Sequence, residues 1–129
     1  MERMTPQDIV KTGVERTMPN ANWKEVYAHI QLMVKSPQHR IFRANNTLFV
    51  IDNHGDHTAD VVFMLTADPI TTMPSSVHDG LQAMKKCQFT ELTFNSSRPA
   101  FLRMIQRAGY TPRVFPPTNQ SGATVKVAL

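Results

Sequence analysis

Asp52, His54, Asp56 and His57 crowd into one short stretch, with Asp60 just beyond. Imidazole and carboxylate together suit zinc or another transition ion. The same stretch holds Asn53 and Gly55, residues that belong to tight turns, and successive side chains around a turn diverge. It reads as a hairpin turn, and no metal is expected. Cys87 follows Lys85 and Lys86, cations that lower a thiol pKa. No histidine neighbours it, and its helical spacing from Val77 and Met84 places it in the core. His29 and His39 fall at opposite ends of a helical region and make no motif, and His78 falls in a helix's first turn. Arg103 and Arg107 stand one helical turn apart with Arg98 just before them. Such a face can meet phosphate or carboxylate groups. It carries no interleaved aromatics of the kind that stack on single-stranded bases.

The charge is unevenly distributed. The net charge is +4, yet Asp52, Asp56, Asp60 and Asp68 occur with no Lys or Arg between Arg43 and Lys85. After Glu91 there is no acidic residue, while Arg98, Arg103, Arg107, Arg113 and Lys126 follow. A basic last third suits DNA, an acidic partner or cofactor phosphates, and equally an ordinary solvated face. With 129 residues, 41% hydrophobic and 19% charged, the chain has the length and composition of one globular domain, 1–129, rather than a disordered segment. The apolar run Val61–Leu65 is too short to span a membrane, which takes about 18 residues or more. The start lacks the apolar stretch of a secretory signal. The single cysteine excludes an internal disulfide and Cys-rich zinc modules. An intracellular domain is expected.

The elements that must position these residues are legible from their punctuation. Thr5-Pro6-Gln7-Asp8 starts a helix that fades at Thr17-Met18-Pro19. Asn22 caps a second helix with an apolar stripe of Trp23, Val26, Tyr27, Ile30, Met33 and Val34, ended by Ser36-Pro37. The period then changes. Arg40–Arg43 and Thr47–Ile51 flank Asn45-Asn46, a hairpin turn. A second turn at Asn53–Asp56 leads into Ala59–Ala67, which reads as a central strand buried on both faces. Ser76 with Asp79 caps a helix carrying Val77, Leu81, Met84 and Cys87 inward. Phe89–Phe94 is a further strand, and strand-helix-strand implies a parallel crossover. Ser96 or Ser97 caps a last helix with Phe101, Leu102, Ile105 and Ala108 inward, closed by Gly109. Arg113–Phe115 and Ala123–Leu129 are short strands joined by a Pro-rich loop. The class is α+β, in the order ααβββαβαββ, with a mixed sheet in which an antiparallel meander precedes a parallel βαβ crossover.

This order resembles the GNAT fold of acyl-CoA N-acyltransferases across almost the whole chain. The local likeness is strongest from Leu92-Thr93-Phe94-Asn95-Ser96-Ser97 through Phe101-Leu102-Arg103 to Ala108-Gly109-Tyr110. The same stretch resembles small GNAT-like internal virion proteins of short-tailed phages. In active members of the family, a glycine-rich basic loop after the central strand offers backbone N–H groups to the cofactor pyrophosphate. Here that connection is Ala67-Asp68-Pro69-Ile70-Thr71-Thr72-Met73-Pro74-Ser75-Ser76, with no glycine, no basic residue and two prolines. The family also implies a Tyr four residues before the closing Gly as proton donor. Ile105 holds that place.

The resemblance therefore implies a fold kept without its chemistry: a structural or interaction protein, docked on virion or host proteins or on DNA through Arg98, Arg103 and Arg107, with no cofactor. The alternative it implies is an acetyl-CoA-dependent N-acetyltransferase with an atypical loop. Glu91 would then be the base and Tyr110 a substitute acid, with Asn95 and Ser96 at the cofactor. A third expectation is a phage-type inhibitor of a host protein, using the fold as a binding scaffold.

Overall fold

The computed structural model describes residues 3–96, 98–118 and 122–129. Its elements are α1 (Pro6–Thr17), α2 (Trp23–Met33), β1 (His39–Ala44), β2 (Thr47–Asn53), β3 (Thr58–Thr66), α3 (Met73–Lys86), β4 (Glu91–Phe94), α4 (Pro99–Arg107), β5 (Pro112–Phe115) and β6 (Thr124–Ala128). This is the expected order. The strands make one sheet in the order β1-β2-β3-β4-β6-β5. β3 and β4 run parallel and the other neighbours antiparallel.

Local chemistry sets the element ends. The Thr5 hydroxyl accepts the Asp8 N–H at 3.1 Å, and Pro6 opens the first turn of α1. Asn22 does the same for α2 by accepting from the Lys24 N–H at 2.9 Å. The β1–β2 turn places Asn45 at φ 52°, a left-handed conformation that Asn tolerates. In the β2–β3 turn Gly55 has φ 85° and His57 φ 67°. There the Asn53 side-chain Oδ1 accepts the Gly55 N–H, and the Asp56 carboxylate accepts both the N–H and O–H of Thr58.

The sheet separates two apolar cores. On one face α3 and α4 cover Phe42, Phe49, Ile51, Val61, Leu92, Phe94, Val125 and Val127. On the other, α1 and α2 cover Leu48, Val50 and Leu65 with Ile9, Val10, Val14 and Ile30. Strand alternation sends Glu91, Thr93, Asp60 and Lys126 to this second face, opposite their apolar neighbours. Two glycines let the helices approach. A methyl group on Gly13 would lie 2.8 Å from Leu65 Cβ, and one on Gly80 would overlap the Phe49 ring.

Several boundaries differ from the sequence expectation. α3 starts at Met73, and Ser76 and Asp79 are not its cap: Pro74 sits in the first turn, and the Ser76 hydroxyl instead accepts from the Asn45 side-chain amide at 2.9 Å. α4 starts at Pro99 with Arg98 at the N-cap position and no side-chain cap, so Ser96 does not cap it. Ser97 lies outside the described residues. β4 begins at Glu91, because Gln88 at φ 77° and the Phe89 N–H bond to Met84 O close α3 over Phe89. The strand buried on both faces is β2, between α1 and α3, whereas β3 leaves Val62 38% exposed beside the Val50/Ile51 bulge. Cys87 is exposed rather than packed, since it lies beyond the last turn of α3 with its sulfur 4.0 Å from the Arg40 guanidinium.

Candidate functional site

The sheet forks at its centre. β3 is nine residues long, but its parallel register with β4 covers only Thr58↔Glu91 to Val61↔Phe94. Beyond Val61 the two strands part. Asn95, exposed, and Ser96, half-buried, follow β4 at this fork. On the α3/α4 face the Phe94 and Phe101 rings pack with centroids 5.1 Å apart at the base of the fork.

The connection from β3 to α3 is drawn into the protein. Asp68 is 5% exposed, and its carboxylate accepts from the Thr47 hydroxyl at 2.7 Å and the Asn46 N–H at 3.3 Å. Thr47 and Thr66 hydroxyls meet at 2.8 Å, and Thr66 accepts the Asp68 N–H. The Arg16 guanidinium donates to the carbonyl oxygens of Asp68 (2.7 Å) and Thr66 (3.4 Å). Of the backbone donors, Ala67 binds Asn46 O, Thr72 and Met73 bind Pro69 O, and Ser76 binds Thr72 O. Pro69 and Pro74 have no N–H. Only Ile70, Thr71 and Ser75 make no such bond among the described residues. A phosphate cradle needs several N–H groups converging on one point, and here most are absent or already bonded.

This network could not be read from the sequence. Thr47, Thr66, Asn46 and Arg16 have ordinary types, and what joins them into a network is pairing across 19 to 52 positions. A pocket of about 600 Å³ opens on the β1–β2 side of the connection, lined by Arg3, Asn45, Asn46, Asp68, Thr72 and Ser76 among others. Near it, Arg43 donates to Met4 O and the Asn46 side chain. Burial first, then the neighbouring Arg3 cation, lower the Arg43 pKa, while Asp68 acts in the opposite sense.

The candidate acid and base lie apart. Glu91 projects to the α1/α2 face, where its carboxylate binds Arg113 at 2.6 Å and stands 3.9 Å from the Lys126 ammonium. Tyr110 packs on the α3/α4 core, with its hydroxyl accepting from Gln82 Nε2 at 2.7 Å and its ring tilted against His78. The sheet stands between them. Ile105, fully buried, occupies the helix position where the resemblance implies a proton donor. Arg98, Arg103 and Arg107 are all exposed on or beside α4. In the β2–β3 turn, His54 binds Thr58 with Nδ1 and lies 3.2 Å from Asp60 with Nε2. Among the described residues no three His, Cys, Asp or Glu side chains converge to hold a metal ion. Nor is any described helix long and apolar enough to cross a membrane.

No protein-family model matches the chain, and no curated protein matches it in sequence. Solved structures do match. A spermidine N-acetyltransferase chimera from Vibrio cholerae and hSSAT superposes with a TM-score of 0.64 at 10% identity, covering 100% of this chain and 91% of that one. GCN5 of Tetrahymena gives 0.62 at 13% identity, over 94% and 84% of the chains. The Bacillus subtilis acetyltransferase in complex with CoA gives 0.59 at 12% identity, over 99% and 94%. This is the GNAT fold. The forked parallel pair, the four helices and the six-stranded mixed sheet are thus a GNAT architecture carried by a divergent sequence. Within it, the connection after β3 holds the buried Asp68 and two prolines and contains no glycine.

Proposed function

We propose that this chain is a non-catalytic GNAT-fold interaction protein, associated with a phage virion. The observation that carries the first half is the β3–α3 connection: its Asp68 carboxylate, two prolines and bonded N–H groups leave few free donors in the loop where the resemblance implies a pyrophosphate. A phosphate brought there would meet a buried carboxylate and few free donors. Ile105 in the position of the proton donor supports the same reading. The virion association rests on the likeness of residues 92–110 to GNAT-like internal virion proteins. Its partners are then virion or host proteins.

Calorimetric titration with acetyl-CoA tests the non-catalytic half. No heat is expected up to about 1 mM ligand, the regime of negligible affinity. Saturable binding at micromolar ligand would overturn it. Mass spectrometry of purified particles tests the second half, and absence of the chain from them would remove it.

One observation favours a second reading, an acetyl-CoA-dependent N-acetyltransferase. The fork between β3 and β4 is retained, and the solved neighbours include acetyltransferases, one of them with CoA bound. In that reading Asn95 and Ser96 sit at the mouth of the fork. Glu91 and Tyr110 cannot act on one reacting centre without passing through the sheet, so either would serve alone.

A further inference from the structure

α4 shows solvent a face of a single charge sign. Met104 and Ile105 are buried and Phe101 and Leu102 half-buried, while Ala100, Arg103, Gln106 and Arg107 are exposed, with Arg98 at the N-cap. No acidic residue follows Glu91 in the chain. The other two cations of the last third, Arg113 and Lys126, already share Glu91 on the opposite side of the sheet. Ion pairs among the described residues involve only those two and His54, which leaves Arg98, Arg103 and Arg107 uncompensated. An ordinary solvated helix intersperses both signs. This one does not.

The composition of the face also selects the class of partner. A protein interface has an apolar or aromatic centre. The large exposed apolar side chains (Leu32, Val34, Ile41, Val62, Ile70, Val114 and Phe115) all lie outside α4. Single-stranded nucleic acid requires aromatic platforms for its bases, and this face has none. What remains is guanidinium against phosphate, a charge-assisted pairing that needs no apolar component. Arg103 and Arg107 are about 6 Å apart along the helix axis, so they present two donors side by side along a backbone.

We propose that the exposed face of α4, through Arg98, Arg103 and Arg107, binds the phosphate backbone of duplex nucleic acid without reading its sequence. Phosphate contacts position a protein but carry no base information, so affinity should follow salt rather than sequence. The inference goes beyond the interaction role proposed above, and it stands or falls separately from the acetyl-CoA titration.

Fluorescence anisotropy of the full chain with a labelled mixed-sequence duplex of about 20 base pairs tests it. Three phosphate contacts predict that log K falls against log salt concentration with a slope of about −2.7. R103E/R107E should abolish binding at the lowest salt, while R103K/R107K retains most of it. A control on the other face, R113A, should bind within about two-fold of the parent, since it removes no α4 contact. Circular dichroism confirms that each variant is folded. Absence of binding at low salt, or equal binding by R103E/R107E, would overturn the proposal. So would tighter binding to an acidic polypeptide than to the duplex at matched charge, which would assign the face to a protein.

Discussion

Replacing Asp68 by Ala separates a structural carboxylate from one held ready for a ligand. Asp68 is 5% exposed, and its carboxylate holds the Thr47 hydroxyl at 2.7 Å and the Asn46 N–H at 3.3 Å. Thr47 retains Thr66 Oγ1 at 2.8 Å, so its hydroxyl is not orphaned. The Asn46 N–H loses its acceptor in a buried place. A hydrogen bond to a charged group contributes about 1.5–3 kcal/mol, and the longer of these two bonds adds little, so the expected loss is about 2–3 kcal/mol. For a chain of this length that lowers Tm by roughly 6–12 °C. Urea and thermal unfolding followed by circular dichroism measure it. Asp68→Asn, which keeps one acceptor oxygen, should lose less than the Ala variant. A Tm within about 2 °C of the parent for Asp68→Ala would refute the reasoning, because an unfilled functional carboxylate is one whose removal leaves stability unchanged.

Two further outcomes follow from close packing and from a turn. Gly80→Ala should destabilise by about 1–2 kcal/mol in urea unfolding, since the overlap with the buried Phe49 ring exceeds the roughly 1 kcal/mol gained in helix propensity. Gly122→Ala, with open space around its Cβ, should be neutral to slightly stabilising, and equal stability of the two variants would contradict the packing argument. The Asp56 carboxyl is held below its ordinary value by the Thr58 hydroxyl and then by the Thr58 N–H. Its contribution is therefore present above the unfolded carboxylate pKa and lost as pH falls through the lower folded value. In an NMR pH titration the Thr58 amide should shift only at the acid end, with a midpoint below that of a free aspartate. A midpoint at or above the free value would show that the turn bonds do not hold the ionised form.

Much of the scaffold was legible without coordinates. Pro6, Pro19, Asn22 and Pro37 bracket α1 and α2 because caps and prolines act through local backbone geometry. Asn45, Gly55 and Gly109 mark left-handed turns for the same reason. Ends governed by packing were less legible. Ser76 has the type and spacing of a cap, yet its buried hydroxyl serves Asn45 across 31 positions. Cys87 has the spacing of a core residue, but it falls just after α3 stops, so the helical period no longer applies.

The chain's own order of residues determined the ten elements, the absence of glycine from the connection after β3, and the one-signed charge of α4, because each depends on near neighbours. Only the tertiary structure decided that Asp68 is turned inward onto Thr47, that Glu91 and Tyr110 face opposite sides of the sheet, and that Arg113 and Lys126 are held by Glu91 while the α4 arginines are free of such pairing among the described residues. These facts rest on strand register and helix placement. A shift of one residue in β4 would carry Glu91 to the other face.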